Sequence, residues 1–331
     1  MNEDYLNTSE LEDESYIYCQ NLNLQEIQNN SIDWPNDSFS LLNFNVRSCR
    51  QNFSQFLSYL SCILYNFSVI VLTETWLSEG TDVGFEIEGY KSICLNRDAR
   101  GGGIKAYVKE KYKIDLLHDF TFECNVFEIL TFYLYNGLNK FLICCVYRPP
   151  SSSIVTFNEI FFDFICKFPS NVKIILVGDF NINILNPDNV LSIDSVITSL
   201  LSLSFLPIIS KATRINENNA NNKESLLDHI WSNINPCHVF KSFVLQVFIS
   251  DHFPVGFISK IKERDPIKKI KFRLINDQTL ANFVNAVRNI SFQDLFDIDN
   301  VNRVFKSFHT RIFSKFNECL PVKVKRVNNK N

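Results

Sequence analysis

Asp179 and Asn181 are the two side chains whose types and spacing speak most directly of chemistry. They close the stretch Val177-Gly178-Asp179-Phe180-Asn181, which follows the apolar run Ile174-Ile175-Leu176. Residues two apart in extended backbone share a face, so a carboxylate and an amide converge there and can handle a water and a phosphate. A plain Asp-Phe-Asn turn after a core strand is the competing reading. Glu74, in Thr73-Glu74-Thr75-Trp76-Leu77, follows the apolar run Ser68–Leu72. A carboxylate delivered by a buried strand is costly unless it pairs or binds metal, and its place at the strand end favours metal. Asn43 and Asn45 share a face at the end of Ser38–Asn45. The Asn45 amide oxygen suits a hard cation, although a turn hydrogen bond is the commoner fate of such a residue. Asp251-His252, in Ser250–Val255, sets a carboxylate beside an imidazole, a usual way to hold histidine for acid–base or phosphate work. Asp228 places another acid among apolar neighbours, and Tyr147 ends an apolar strand just before Arg148-Pro149-Pro150.

The elements that must present these groups follow from periodicity. Apolar runs predict strands over 38–45, 68–72, 127–135, 141–146, 174–177, 225–231 and 244–249. Asn136-Gly137 marks a hairpin between the third and fourth of these. Helical spacing of apolar residues predicts helices over 52–67, 157–168 and 189–204. Strands alternating with helices in this way form an α/β fold. Arg100-Gly101-Gly102-Gly103 fits neither a P-loop nor a dinucleotide fingerprint and reads as a flexible turn into an edge strand. Arg97, Arg100, Lys105, Lys109, Lys111 and Lys113 form the densest basic stretch of the central region. Contact with a nucleic-acid backbone and a solvated edge are both open readings of it.

Composition sets the outer bounds. Of the 331 residues 46% are hydrophobic and 21% charged, a globular balance. No apolar run approaches the roughly 18 residues that span a bilayer, and the acidic start lacks the features of a secretory signal. The expectation is a nuclear or cytoplasmic protein, not secreted and not in a membrane. Ten cysteines include no C-x-x-C pair, and most lie in apolar segments as small buried hydrophobes. A disulfide framework or zinc site is therefore not expected. The net charge of −3 conceals a gradient. Residues 1–38 hold nine acids and no Lys or Arg; residues 260–331 hold 16 bases against 7 acids, or +9. The polar, Asn- and Ser-rich start is expected to be a disordered acidic tail, residues 39–259 the folded domain, and 260–331 a basic segment of two helices near 278–290 and 300–316. The gradient suits a partner that is a polyanion.

Seven motifs in order carry a resemblance: Asn-Val-Arg-Ser (45–48), Thr-Glu-Thr-Trp-Leu (73–77), Tyr-Arg-Pro-Pro (147–150), Gly-Asp-Phe-Asn (178–181), Thr-Arg (213–214), Leu-Asp-His-Ile (227–230) and Ser-Asp-His-Phe-Pro (250–254). Together, over about residues 39–259, they resemble the endonuclease/exonuclease/phosphatase superfamily. Within it they are similar to the apurinic-type endonuclease domain of LINE-type non-LTR retrotransposons. The resemblance implies a four-layer sandwich, two mixed β-sheets packed face to face with flanking helices. It implies Mg²⁺, with Mn²⁺ as the substitute, on Glu74 and Asn45, with Asp251 beside it. Asp179 would activate water, Asn181 would hold Asp179 or the phosphate, and Asp228 would fix the tautomer of His252. Tyr147 and His252 would stabilise the transition state. Asn43 would line the floor, and Thr213, Arg214, Arg97 and Arg100 would touch the substrate. The implied activity is nicking of double-stranded DNA by a monomer, leaving a 3′-hydroxyl. The same chemistry on abasic DNA, RNA or a phosphoinositide is the alternative, as is a non-catalytic domesticated nucleic-acid-binding remnant. Residues 260–331 resemble the linker before the reverse transcriptase; no aspartate-pair motif of that polymerase occurs, so a truncated or derived copy is expected.

Overall fold

The strand Ser38–Asn45 shows how the layers arise. Successive side chains of a strand face opposite ways. Phe39 and Leu41 enter one hydrophobic core, while Leu42 and Phe44 enter another on the far side of the sheet. Every residue of this strand is buried, as expected for a central strand covered on both faces.

The computed structural model describes residues 17–97, 101–137, 139–185, 190–216, 223–262 and 268–327. The chain divides into two compact units, Met1–Arg264 and Asp265–Asn331. In chain order the first holds β1 (Cys19–Leu22), α1 (Leu24–Ser31), β2 (Ser38–Asn45), α2 (Cys49–Cys62), β3 (Val69–Thr73), β4 (Tyr90–Leu95), β5 (Ile104–Lys109), β6 (Lys113–Leu116), β7 (Phe122–Glu123), β8 (Glu128–Asn136), β9 (Asn139–Tyr147), α3 (Ile154–Ile165), β10 (Lys173–Asp179), α4 (Val190–Ser202), β11 (Leu206–Pro207), β12 (Arg214–Asn216), β13 (Lys223–Ser225), β14 (Asp228–Ser232), β15 (Val239–Leu245) and β16 (Val255–Lys262).

One sheet runs β1-β15-β16-β2-β3-β5-β4 and the other β11-β14-β10-β9-β8-β6, with β7 on β8. Both are mixed: β2 is parallel to β3 and β9 to β10, whereas β14 is antiparallel to β10. The inner faces share one core, with Val69, Val71 and Ile104 from the first sheet and Phe132, Ile143, Ile175 and Val177 from the second. Phe53 and Phe56 of α2 cover the outer face of the first sheet. Phe157, Phe161 and Phe164 of α3, with Ile193, Val196 and Leu200 of α4, cover that of the second. These are the four layers expected. Burying a Phe or Leu side chain is worth about 1.5–3 kcal/mol, so this phenylalanine-rich packing is the main stabilising term.

The sequence reading needs correction at four points. Residues 17–38 belong to the fold: β1 pairs in parallel with β15, and a capping box from Asn23 to Glu26 starts α1. Trp34 is buried against Phe243 and Tyr65. The strand expected over 244–249 ends at Leu245, and β16 follows it, antiparallel and unforeseen. The segment 225–231 divides into β13 and β14 at Leu226-Leu227. β5 is not an edge, because β3 and β4 flank it.

The second unit contains β17 (Lys268–Arg273), α5 (Asp277–Arg288), α6 (Val301–Cys319) and β18 (Val322–Val327), with β17 and β18 forming an antiparallel ribbon. The helices lie near the expected positions; the ribbon is an addition. Among the described residues no helix is long and apolar enough to cross a membrane.

Candidate active site

The alternation that builds the core also builds the site. In β2 the inward series Phe39, Leu41, Asn43, Asn45 turns from apolar to polar at its carboxyl end. The inward series Ile175, Val177, Asp179 of β10 and Phe141, Ile143, Cys145, Tyr147 of β9 do the same. Asp228 opens β14 and, because that strand is antiparallel, stands opposite Asp179 on the same rim. The chain leaves β10 through Gly178, whose φ is +142°; a Cβ there would meet the Val146 carbonyl oxygen at 1.9 Å. Only glycine lets β9 and β10 run this close.

Asn45 joins the two sheets chemically. Its Nδ2 donates to Glu74 Oε1 at 2.8 Å and to Asp179 Oδ2 at 2.9 Å, while its Oδ1 accepts from Arg47 N at 3.2 Å. The oxygen expected to face a cation thus faces the backbone, because two carboxylates attract the N–H groups instead. Glu74 also accepts from Trp76 Nε1 at 3.3 Å. Asn181 donates its backbone N–H to Asp179 Oδ1 and its Nδ2 to Asp179 Oδ2 and to the Arg148 carbonyl. Glu74 and Asn181 have φ of +54° and +49°, and Arg47 and Ser48 beside Asn45 are also positive. Such strain in non-glycine residues persists only where surrounding contacts impose it.

His252 Nδ1 lies 2.7 Å from Asp228 Oδ2, and both are buried. Burial pulls the imidazole down, but the charge and hydrogen bond of Asp228, helped by Asp179 and Asp251, raise it to about 9. Asp179 is wholly buried; that burial first, then the facing Asp228 charge and Glu74, push it up to about 7 against the pull of His252 and Asn181. The cluster at neutral pH is therefore an imidazolium held between carboxylates. Tyr147 is raised by burial and by the charges of Glu74, Asp179 and Glu128, and so stays a hydrogen-bond donor.

Other expected residues lie elsewhere in the network. Asn43 is fully buried, with neither amide atom hydrogen-bonded among the described residues. Thr213 is also buried: its Oγ1 accepts from Leu227 N and Asp228 N, so it fixes the start of β14 and is withdrawn from any substrate. Asp251, expected beside the cation, is paired with Arg47 at 2.8 Å and Arg214 at 2.5 Å, the nearest positive charges available to it. Arg97 grips the buried Glu128 at 2.9 Å instead of reaching outward. Arg100 lies outside the described residues. Lys105, from the same basic stretch, is buried and bonded to Glu86.

Three contributors escaped the sequence reading. Arg148 is buried and donates to the Phe180, Asn181 and Ser152 carbonyls, which holds the Gly-Asp-Phe-Asn loop in its strained form. Glu128, opposite Tyr147 in register, accepts from Gly103 N at 2.6 Å. The Gly-rich turn, read as flexible, is thereby fixed, and it supports the Glu74 loop through Trp76 N to Gly102 O. His229 is structural: it stacks on Phe180 and is held neutral by burial, which lowers it to about 4. The sequence signal for Arg148 was its place in Tyr-Arg-Pro-Pro at the end of an apolar strand; its burial shows only in the fold.

The donor set fits a hard divalent cation. Glu74 and Asp179 turn carboxylate oxygens toward the Asn45 side chain, whose own oxygen would join them only if the amide turned over, and Asp228 Oδ1 is buried without a hydrogen-bond partner among the described residues. Oxygen ligands of this kind suit Mg²⁺ or Mn²⁺. Asp179, Asp228 and His252 also offer ligand atoms within 4.8 Å of one another. His252 suits that role less, since Nδ1 is taken by Asp228 and an imidazolium has no free lone pair.

Residues 141–256 match the family model described as Endonuclease-reverse transcriptase, a segment that includes Tyr147, Asp179, Asn181, Asp228 and His252. No curated protein matches the sequence. The fold is similar to the endonuclease domain of TRAS1, a telomere-specific non-LTR retrotransposon, with 12% identity, 67% of this chain and 99% of that one covered, and a TM-score of 0.53. It is also similar to an AP endonuclease from Archaeoglobus fulgidus, with 13% identity, 67% and 100% covered, TM-score 0.55. The AP endonuclease LMAP from Leishmania major gives 13% identity, 74% and 93% covered, TM-score 0.56. The matched segment crosses the second sheet and the rim, and the fold is the one these endonuclease structures share.

Proposed function

We propose that residues 39–259, with β1 and α1 as part of the same fold, form a Mg²⁺-dependent phosphodiesterase that nicks double-stranded DNA and leaves a 3′-hydroxyl. Mn²⁺ would substitute. The observation that carries the reading is Asp179: a buried carboxylate held by Asn45 and Asn181, with the His252–Asp228 pair beside it. A base raised to about 7 suits proton abstraction from water near neutral pH. As the water oxygen bonds to phosphorus, Asp179 takes its proton, the P–O3′ bond breaks, and the departing 3′-oxygen takes a proton from solvent, leaving a 3′-hydroxyl and a 5′-phosphate. His252 and Tyr147 donate to the phosphoryl oxygens as negative charge grows there; losing one such donor typically costs ~10²–10³ in rate. Asp228 keeps His252 protonated and oriented. A cation held by Glu74, and by Asn45 once its amide turned its oxygen toward Glu74, would supply Lewis-acid stabilisation of the same oxygens.

All these roles come from one chain, so a monomer suffices, acting on DNA in the nucleus or cytoplasm. The intact partner network of Asp179, Asn181, Asp228 and His252 favours catalysis over a binding remnant. The test is conversion of supercoiled plasmid to open circles. Activity is expected with Mg²⁺, and is lost in EDTA and in Glu74→Ala. Parallel assays on abasic duplex, RNA and a phosphoinositide separate the substrates. Unchanged nicking by Glu74→Ala or His252→Ala would overturn the mechanism.

A further inference from the structure

The interior of the site is rich in negative charge, with Glu74, Asp179 and Asp228 against one imidazolium. A phosphodiester must therefore be drawn in by positive charge at the mouth. Most cations there are committed inward. Arg148 has its guanidinium on three carbonyls, Arg97 is engaged by Glu128, and Lys105 is buried on Glu86. Among the described residues of the rim, Arg47 and Arg214 differ, since their side chains are 42% and 32% exposed.

Both converge on one carboxylate, that of Asp251. Arg47 Nη1 lies 2.8 Å from Oδ1, and Arg214 Nη2 lies 2.5 Å from Oδ2. Oδ1 nonetheless has no aligned hydrogen-bond donor among the described residues, so the Arg47 contact is an ion pair without the directional component. The backbone fixes both arginines beside the chemistry. Arg214 forms an antiparallel bridge with His252, and Phe253 N donates to the Thr213 carbonyl. Arg47, at φ +42°, lies two residues after Asn45 and donates its N–H to that side chain.

We propose that Arg47 and Arg214 form a subsite for a backbone phosphate next to the scissile one, and that Asp251 occupies it as an internal anion until a strand displaces it. Guanidinium groups match phosphate and carboxylate geometry alike, so the exchange keeps both charges paired throughout. Asp251 then acts as a gatekeeper: it stops the two arginines from holding unrelated anions and makes strand entry a substitution.

The inference rests on the reading that the ligand is a DNA strand, and binding without cleavage separates the two. The measurement is fluorescence anisotropy of a short labelled duplex in EDTA, titrated with the full chain at several salt concentrations. Arg47→Ala and Arg214→Ala are each expected to weaken binding about tenfold at moderate salt. Each should also flatten the slope of log affinity against log salt by about 1. Arg214→Lys should keep the slope and lose part of the affinity. Asp251→Asn, which removes the competitor, should tighten binding. Lys173→Ala, at the far end of β10 roughly 20 Å from Asp179, should leave the slope unchanged. Wild-type slopes in both arginine variants, or weaker binding by Asp251→Asn with an unaltered circular-dichroism melt, would overturn the inference while leaving the nicking reading in place. Duplex binding that falls in the arginine variants without any nicking by wild type would support the subsite and sink the cleavage reading.

Discussion

Asp179 and Asp228 face each other directly across the antiparallel pair β10–β14, the last residue of one strand and the first of the other. Two buried carboxylates so placed repel, and each is quieted by a different partner. Asp228 takes His252, whereas Asp179 takes the amides of Asn45 and Asn181. In the proposed mechanism this division makes Asp179 the base and His252 the protonated donor. The proposed nicking would need Asp179 ionised and His252 protonated, so kcat/KM should rise through about pH 7 and fall through about pH 9. Asp228→Asn removes both the repulsion on Asp179 and the support for His252. Both limbs of the profile should then move to lower pH, as a pH series with each protein would show.

The same carboxylate weakens the fold when ionised. Its folded pKa, about 7, lies above the ordinary 3.8, so the native state holds the extra proton between those values and stability falls as pH rises through that window. His252 has the other consequence: raised from 6.5 to about 9, it stabilises fully below 6.5 and loses that contribution as pH rises through about 9. Asp179→Asn should therefore melt at a higher temperature than wild type at pH 8 and close to it at pH 4. Its nicking rate should fall by about 10²–10⁴. Thermal melts at the two pH values check the first half, and plasmid nicking checks the second.

Gly178→Ala should be among the most damaging substitutions of a small residue in the chain. The new methyl would sit 1.9 Å from the Val146 carbonyl oxygen, and the backbone at φ +142° already excludes side chains. β9 and β10 would have to separate. A loss of about 3 kcal/mol or more is expected in denaturant unfolding.

In the proposed mechanism Arg148 touches no reacting atom and acts through the loop it clamps. Arg148→Ala should lower kcat about 10–100-fold with little change in KM, because Asn181 would relax from its strained conformation and release Asp179. Arg148→Lys should not restore the rate, since one ammonium cannot serve the Phe180, Asn181 and Ser152 carbonyls together. Steady-state kinetics on a short duplex distinguish this from a loss of substrate affinity.

The strands that carry Asn45, Glu74, Tyr147 and Asp179 were legible because each is an apolar run ending abruptly in polar residues. Period-two alternation then aims those residues into the gap between the sheets. β1 and α1 were not, for two reasons. Their segment buries only Cys19, Leu22, Ile27 and Ser31, and the strand's partner, β15, lies more than 200 residues away. The Asn23-to-Glu26 capping box was a local signal for α1 that composition outweighed. Thr213, Arg97 and Asp251 were read as residues that meet a ligand, because ligand contacts and internal contacts draw on the same residue types. Only the fold shows that Thr213 serves two backbone amides and Arg97 serves Glu128.

The parallel pairing of β1 with β15 also bears on how the protein can be handled. A version begun at Ser38 would retain every side chain of the rim but strip β15 of its neighbour β1, leaving a row of backbone donors and acceptors open to solvent. Such a margin is a template for strand addition by a second molecule. Shortened protein of this kind should clump at concentrations where protein retaining residues from Ile17 onward stays dispersed, so poor yield from it would say nothing about the chemistry at the rim.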